Sequence, residues 1–385
     1  MNKLIRITTV PLSLEKLLEG QLRFMQRYFE VIAVSSDGEH LEKVGVKEGV
    51  RTSILRLTRQ ITPLKDLIAV IQFFRFLRKE KPLIVHSHTP KAGIIGMLAA
   101  KLAGVPVRLH TVAGLPLMET KGIKRQVLNG VEKLTYACAT RVYPNSKGLY
   151  DFIVEQRFAD PAKLKVLANG SSNGIDTTYF DPKIFTEEHR KQYKQLYQLP
   201  VDSFTFVFVG RLVKDKGLNE LVNVFVRIQR AYPHARLLLV GGYERDLDPV
   251  LPEMEKMIEE HTAIIQVGFQ QDVRPFLAIA QTLVFPSYRE GFPNVVMQAG
   301  AMGLPAIVTD INGCNEIVIE GENGTIIPPK NEPALYTAME NMMVNPSYRD
   351  GLAEHARRMI VDRYEQRLVW ETLLSEYKHW EQQYV

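Results

Sequence analysis

Four side chains stand out by type and spacing. Arg211 and Lys216 lie in VGRLVKDKGL (Val209 to Leu218). Glu290 and Gln298 lie in PSYREGFPNVVMQAGAMGLPAIVTD (Pro286 to Asp310). A guanidinium can grip phosphate oxygens in pairs, and an ammonium acts as a point charge, so Arg211 and Lys216 on one loop suit a diphosphate. Gly291 lets backbone approach a ligand closely. A helix that starts near Asn294 exposes unsatisfied N–H groups, a ready anion site. Glu290, just before that start, is repelled by phosphate but can accept hydrogen bonds from sugar hydroxyls. Gln298 can reach hydroxyls too. The competing reading is an ordinary solvated loop, since KDKG is common and Gly/Pro turns are frequent.

These residues need elements to position them. In the first half LIRITTV, FEVIAVSS, PLIVHSH, VRLHTV and RVYPNS read as strands, separated by helical patterns such as LEKLLEGQLRFMQRY, LKDLIAVIQFFRFLRKE and AGIIGMLAAKLAG. After the loop-rich NGSSNGIDTTYFDPKIF the pattern restarts with FTFVFVG, ARLLLVGG, AIIQVG, TLVFPS, AIVTD and GTIIP. Apolar, β-branched strands between helices predict buried parallel strands in doubly wound α/β sheets. The expected division is residues 1–175, residues 176–365 and a final helix, residues 366–385. That helix carries Trp370 and Trp380 and is expected to dock on the first domain. Ligands of such sheets bind beyond the carboxyl ends of the strands, and the natural site is the cleft between two such domains.

The bulk numbers fit this division. A chain of 385 residues, 45% hydrophobic and 24% charged, is globular and long enough for two cores. Residues 1–180 hold 27 Lys and Arg against 15 Asp and Glu, while the remainder holds 21 against 28. A basic half can face nucleic acid or an anionic lipid surface, or be plain solvated charge. Cys138 and Cys314 form no disulfide framework and suit a reducing cytosol. The start, MNKLIRITTVPLS, reads as a first strand and not a signal peptide. No run approaches the ~18 apolar residues of a membrane span.

Taken together, GRLVKDKG, LVGG, PSYREGFPNVVMQAGAMGLPAIVTD and NGID resemble the retaining GT-B glycosyltransferases of family four. The likeness spans the chain and is strongest from Phe206 to Pro328. The segment HSHTPKAGIIGMLAAKLAGVPVRLHT resembles bacterial members that build capsule, O-antigen or glycan precursors on a polyprenyl diphosphate. The resemblance implies a GT-B fold of two Rossmann-like domains, acceptor binding in the first and nucleotide-sugar binding in the second. It implies catalytic or charge-stabilising roles for His110, Arg211, Lys216 and Glu290. Donor contacts are implied at Gly20 (a loose match), Gly210, Gly268, Phe269, Gly291, Phe292, Pro293, Asn294, Val295 and Gln298, and acceptor contacts at His88, Thr89 and Lys91. Gln298 departs from the family pattern, which has a second glutamate there. An amide both accepts and donates, so retained activity with looser nucleotide binding is expected.

The implied partners are a nucleotide-sugar, a UDP-hexose or UDP-N-acetylhexosamine, and a lipid-linked sugar acceptor at the inner face of the cytoplasmic membrane. No nucleic acid, no cofactor and no metal are expected. His86 and His88 are expected on opposite faces of their strand, and DLD (Asp246 to Asp248) is expected to cap a helix and not to bind metal. Asn169 and Asn323 read as turns. The helix Leu64 to Lys79, with its basic end RFLRKEK, and KGIKRQ (Lys121 to Gln126) are candidates for lipid contact, against a core-packing role for the apolar stripe. GLPLMETKGIK (Gly114 to Lys124) is a candidate acceptor or lipid loop. Two alternatives stay open: a UDP-sugar epimerase on the same fold, and a non-catalytic nucleotide-sugar-binding subunit.

Overall fold

The computed structural model describes residues 1–384 apart from 59, 61, 116, 118, 119, 246 and 247. By its internal contacts the chain divides into two compact units. One is Met1–Gly174 together with Gln366–Val385, and the other is Ile175–Glu365.

The first unit holds β1 (Lys3–Ile7), β2 (Glu30–Ser35), β3 (Arg51–Ile54), β4 (Ile84–Ser87), β5 (Val107–Val112) and β6 (Arg141–Pro144). The second holds β7 (Phe204–Val209), β8 (Ala235–Val240), β9 (Ile264–Gly268), β10 (Thr282–Phe285), β11 (Ala306–Thr309) and β12 (Gly324–Ile327). Among the described residues each unit forms one sheet, with order β3-β2-β1-β4-β5-β6 in the first and β12-β11-β10-β7-β8-β9 in the second. The second is the first renumbered: β7 takes the place of β1 and β10 that of β4. Every pairing is parallel. The chain reverses direction across the sheet between β1 and β4, and again between β7 and β10. These are the switch points at which sheets of this kind open toward ligands.

The strands form because they are apolar on both faces. All six residues of β7, FTFVFV, are buried, as are Leu237, Leu238 and Leu239 beside them. Helices cover both sides of such a sheet, and no polar alternation survives. At about 1.5–3 kcal/mol per buried large aliphatic or aromatic side chain, each of these residues adds substantially to the stability of the unit.

Two elements depart from the sequence pattern. β3 carries no hydrophobic signal, with Arg51 and Thr52 exposed and Ile54 61% exposed. It is an edge strand held by backbone pairing to β2. The helix expected over LEKLLEGQLRFMQRY is two helices, Pro11–Leu17 and Gln21–Met25. They part at Gly20, whose φ of 76° is left-handed. A Cβ there would lie 2.7 Å from the Trp370 ring, so glycine is required by both conformation and packing.

The last helix, Gln366–Tyr384, buries Val369, Leu373 and Tyr377, the last two in the first unit's core. Trp370 Nε1 donates to Asn173 Oδ1 at 2.7 Å, and Asn2 Nδ2 donates to Glu381 Oε1 at 2.6 Å. No helix among the described residues is long and apolar enough to cross a membrane.

Candidate active site

Lys216 and Glu290 sit on different loops, and they meet because β7 and β10 are neighbours. After β7 the chain passes Gly210 and Arg211 into a 3-10 turn, Lys214–Lys216. After β10 it passes through residues 286–293 into the helix Asn294–Ala301. The two loops are fastened to one another. The Tyr288 amide donates to the Asp215 carbonyl at 2.8 Å. Arg289 donates twice to the Asp215 carboxylate, at 2.8 and 3.1 Å. Gly217 lets them close. Its φ is 69°, and a Cβ would collide with the Pro286 carbonyl oxygen.

The result is an ion pair between Lys216 Nζ and Glu290 Oε1, each side chain only 14% exposed. Ser287 Oγ donates to the same carboxylate oxygen at 2.8 Å. Arg211 stands apart from this pair: its guanidinium donates to Glu244 Oε2 at 2.5 Å, with both side chains well exposed. The two cations expected to act together are therefore neutralised separately.

The next strand buttresses the Glu290 loop. Asn312 Nδ2 donates to the carbonyls of Glu290 and Gly291, at 3.1 and 2.6 Å, and Thr309 Oγ1 donates to the Ser287 carbonyl. Asp215, Arg289, Thr309 and Asn312 were not singled out from the sequence. Three of them follow the rule that polar residues just past a buried strand converge at one sheet edge, and Thr309 is the last residue of its strand. The helix Asn294–Ala301 begins after Pro293 with no side-chain cap, and Asn294 is exposed. Its first amides keep the partial positive charge of a helix start. Gln298, one turn in, is half-buried. No hydrogen bond joins its side chain to any described residue.

The same edge of the first unit is furnished differently. Arg6, wholly buried, donates through Nε and Nη2 to His88 Nε2 at 3.1 and 2.8 Å, and through Nη2 to Gln21 Oε1 at 2.5 Å. Gln21 passes the chain on to Asn173 Oδ1 at 3.0 Å. His86 bonds to the Tyr377 hydroxyl at 2.6 Å and to Thr111 Oγ1 at 2.8 Å. Burial, aided by the Arg6 charge, holds His86 well below the usual imidazole value. Burial, then His86 and Arg6, does the same for His88. His110 Nδ1 bonds to Ser87 Oγ at 2.8 Å, and burial pushes this imidazole down to about 4. All three rings are neutral at pH 7. Thr89 bonds to Thr9 at 2.7 Å, and Lys91 pairs with Asp66 at 2.6 Å.

Two family models match the chain: "Glycosyl transferase 4-like domain" over residues 23–170 and "Glycosyl transferases group 1" over residues 203–345. The capsular polysaccharide biosynthesis glycosyltransferase CapM of Staphylococcus aureus is 32% identical over 378 residues, covering 98% of this chain and 97% of that protein. The chain belongs to the family-four glycosyltransferases of the GT-B fold. A second relative of this glycosyltransferase is the UDP-Gal:alpha-D-GlcNAc-diphosphoundecaprenol alpha-1,3-galactosyltransferase of Escherichia coli. It is 30% identical, covering 70% of this chain and 69% of that one. In fold the glycosyltransferase matches Anabaena Alr3699/HepE, solved with UDP and glucose. The TM-score is 0.81 over 98% of this chain and 100% of that one, at 17% identity.

The other residues expected at the site of this glycosyltransferase lie as follows. Phe292 is buried, and its ring packs 5.4 Å from that of Tyr364, so only its backbone is placed to meet a ligand. Pro293 is likewise buried. The Gly20 amide donates to Glu48 Oε1 at 2.9 Å and its α-carbon faces Trp370, which accounts for that glycine by packing. His86 and His88 do not face opposite ways. Their rings lie 4.2 Å apart, because residues two apart along an extended strand share a face. His88, Thr89 and Lys91, expected at an acceptor, are all engaged within their own unit.

Gly210 follows β7 and Gly268 ends β9, at the edge that carries Lys216, and Phe269, next after Gly268, is 78% exposed. Val295 is half-buried in the first turn of the Asn294 helix. Asp248 Oδ2 accepts from the Asp215 amide at 2.6 Å. Asp246 lies outside the described residues, as do Pro116, Met118 and Glu119 of the candidate acceptor loop.

Proposed function

We propose that the chain transfers a hexosyl or N-acetylhexosaminyl group from a UDP-sugar to a sugar carried on a polyprenyl diphosphate. The transfer retains the anomeric configuration and needs no metal. The observation that carries this reading is the junction of Lys216, Glu290 and an uncapped helix start on two fastened loops at the switch point of the second sheet. When the sugar's bond to the diphosphate breaks, negative charge grows on the leaving oxygen. Lys216, Arg211 and the amides at Asn294 stabilise charge where it develops, which lowers the barrier and not merely the ground state. Glu290 and Gln298 hold hydroxyls of the donor. His110, buried and bonded to Ser87, is neutral and not an acid.

The names of the two relatives support the substrate classes, one in capsule synthesis and one acting on a diphosphoundecaprenol-linked sugar. Support for work at the cytoplasmic membrane surface comes from the helix Pro63–Glu80. Ala69, Val70, Phe73 and Leu77 pack in the core as expected, but Leu64, Leu67, Ile68 and Ile71, spaced as a second helical stripe, are 80%, 58%, 54% and 43% exposed. The helix's acids are engaged, Asp66 by Lys91 and Glu80 by Lys3 and Arg51. Lys65, Arg75, Arg78 and Lys79 have no acidic partner among the described residues. An apolar stripe with free cations fits an anionic lipid surface.

The test is a panel of UDP-, GDP- and dTDP-sugars scored by thermal shift, followed by transfer to a polyprenyl-diphosphate sugar in EDTA. Stabilisation by a UDP-sugar and EDTA-resistant transfer are expected. Epimer formation from the donor alone, without acceptor, would overturn the reading in favour of an isomerase.

A further inference from the structure

The two side chains given opposite duties in the donor site are bonded to each other. Lys216, the cation for the diphosphate, is held by Glu290, the acceptor for the sugar. This pair differs from its neighbours. Arg211–Glu244 and Arg289–Asp215 involve arginines 47% and 48% exposed, where solvent screens the attraction and a ligand can compete freely. Lys216 and Glu290 are each 14% exposed, so their attraction is less screened, and so is any repulsion from a second anion brought to the same place.

Glu290 is also held in place. Its Oε1 accepts from Ser287 Oγ at 2.8 Å, and its backbone carbonyl accepts from Asn312 Nδ2 at 3.1 Å. Oε2 makes no hydrogen bond with any described residue. A diphosphate that reaches Lys216 therefore meets a fixed carboxylate that cannot withdraw far.

We propose that the Lys216–Glu290 pair makes the site discriminate between a diphosphate that carries a sugar and one that does not. This rests on the reading of Lys216 as a diphosphate ligand. A bare nucleoside diphosphate must take Lys216 from Glu290 and leaves that carboxylate beside its own charge. A nucleotide-sugar brings hydroxyls that donate to the released carboxylate and so restore its hydrogen bonding. Rejection by an unpaired like charge is the repulsive half of specificity. The same pair assists turnover: once the sugar has left, Glu290 loses its donors, re-forms the bond to Lys216, and the product diphosphate is expelled.

The test is calorimetric binding of UDP, inorganic diphosphate and a UDP-sugar to the full chain, in wild type, Glu290→Gln, Glu290→Ala, Lys216→Met and the Lys216→Met/Glu290→Gln double variant, each first checked for a wild-type unfolding transition. With Glu290 neutral, UDP and inorganic diphosphate bind at least about tenfold tighter, the low end of what like-charge juxtaposition costs. The UDP-sugar gains less, and the gain disappears in the double variant. Two Glu290 variants guard against a local packing defect in either. Unchanged or weaker UDP binding in both, with Lys216→Met still weakening UDP, would overturn the discrimination and leave Lys216 as the diphosphate ligand. Unchanged UDP binding in Lys216→Met would overturn the underlying reading itself.

Discussion

At the crossover of the first sheet, between β1 and β4, Arg6, Gln21, His88 and the C-terminal helix close over one another and leave their polar groups mostly satisfied from within. At the crossover of the second, between β7 and β10, Lys216 and Glu290 meet on two loops, with solvent access, beside a helix start that no side chain caps. The strand order is the same in both units. The difference teaches that a switch point is an opportunity and not a site. What decides is whether the residues after the strands are consumed by their own unit or left able to exchange partners. By that criterion the second unit is the one fitted to the proposed donor chemistry, while the first holds a neutral, buried framework around its histidines.

The hardest test of the comparison attacks the closeness of the two loops. Gly217→Ala puts a Cβ onto the Pro286 carbonyl in a left-handed conformation, which costs about 1–2 kcal/mol for the conformation alone. It also shifts Lys216 relative to Glu290, and a displacement of ~1 Å commonly costs about a hundredfold in rate. The expected outcome is a loss of transfer of about two orders of magnitude with the first unit's unfolding unchanged. That unfolding is readable because both tryptophans, Trp370 and Trp380, lie in the first unit. Near-wild-type transfer would mean that the two loops need not be fastened.

A second test uses acid. His110 is held down to about 4, and His86 and His88 well below the imidazole norm, all first by burial. In mild acid the unfolded chain therefore binds more protons than the folded one. Stability from these groups is full above the unfolded value of about 6.5 and falls as pH drops from there toward the folded values. Glu132, pushed up to about 7 by burial, has the opposite sign. Its contribution is present below the unfolded carboxyl value and is lost as pH rises through about 7. With three histidines against one acid, the urea midpoint followed by tryptophan fluorescence should fall from pH 7 to pH 5. In Glu132→Gln it should fall more steeply. A midpoint that holds or rises in acid would contradict the neutral, buried framework.

The smallest expected effect is at Gln298. Its amide makes no hydrogen bond within the protein, so a carboxylate there is free to take a donor's hydroxyls. Charged acceptors outdo neutral ones by roughly 1 kcal/mol, so Gln298→Glu should tighten UDP-sugar binding by about fivefold in calorimetry. Unchanged affinity would place Gln298 outside the donor's reach.

Much of this was legible in the sequence, for physical reasons that differ by element. Buried parallel strands announce themselves because both faces are apolar, so FTFVFV and ARLLLV could be read directly. β3 could not, because an exposed edge strand is held by backbone bonds that leave no mark on composition. The split at Gly20 was hidden because its helical flanks share one apolar pattern. Lys216 and Glu290 stood out by type and loop position, but their mutual ion pair depends on β7 and β10 being adjacent, a fact of topology. Asp215, Arg289 and Asn312 went unnoticed because their work is to hold backbone and loops, which many surface polar residues do. His88, Thr89 and Lys91 looked available because a sequence does not reveal that Arg6, Thr9 and Asp66 already engage them.

The central claim is that the second unit's switch point is where a nucleotide-sugar is held and activated. It is tested most directly by sugar transfer from a UDP-sugar to a polyprenyl-diphosphate-linked sugar by the purified chain and by its Lys216→Ala and Glu290→Ala variants. Each variant is expected to lose at least about a hundredfold in kcat, as when one charge-stabilising group is removed from a transition state, while the tryptophan-reported unfolding stays at the wild-type midpoint. Transfer at wild-type rates in both variants would contradict it.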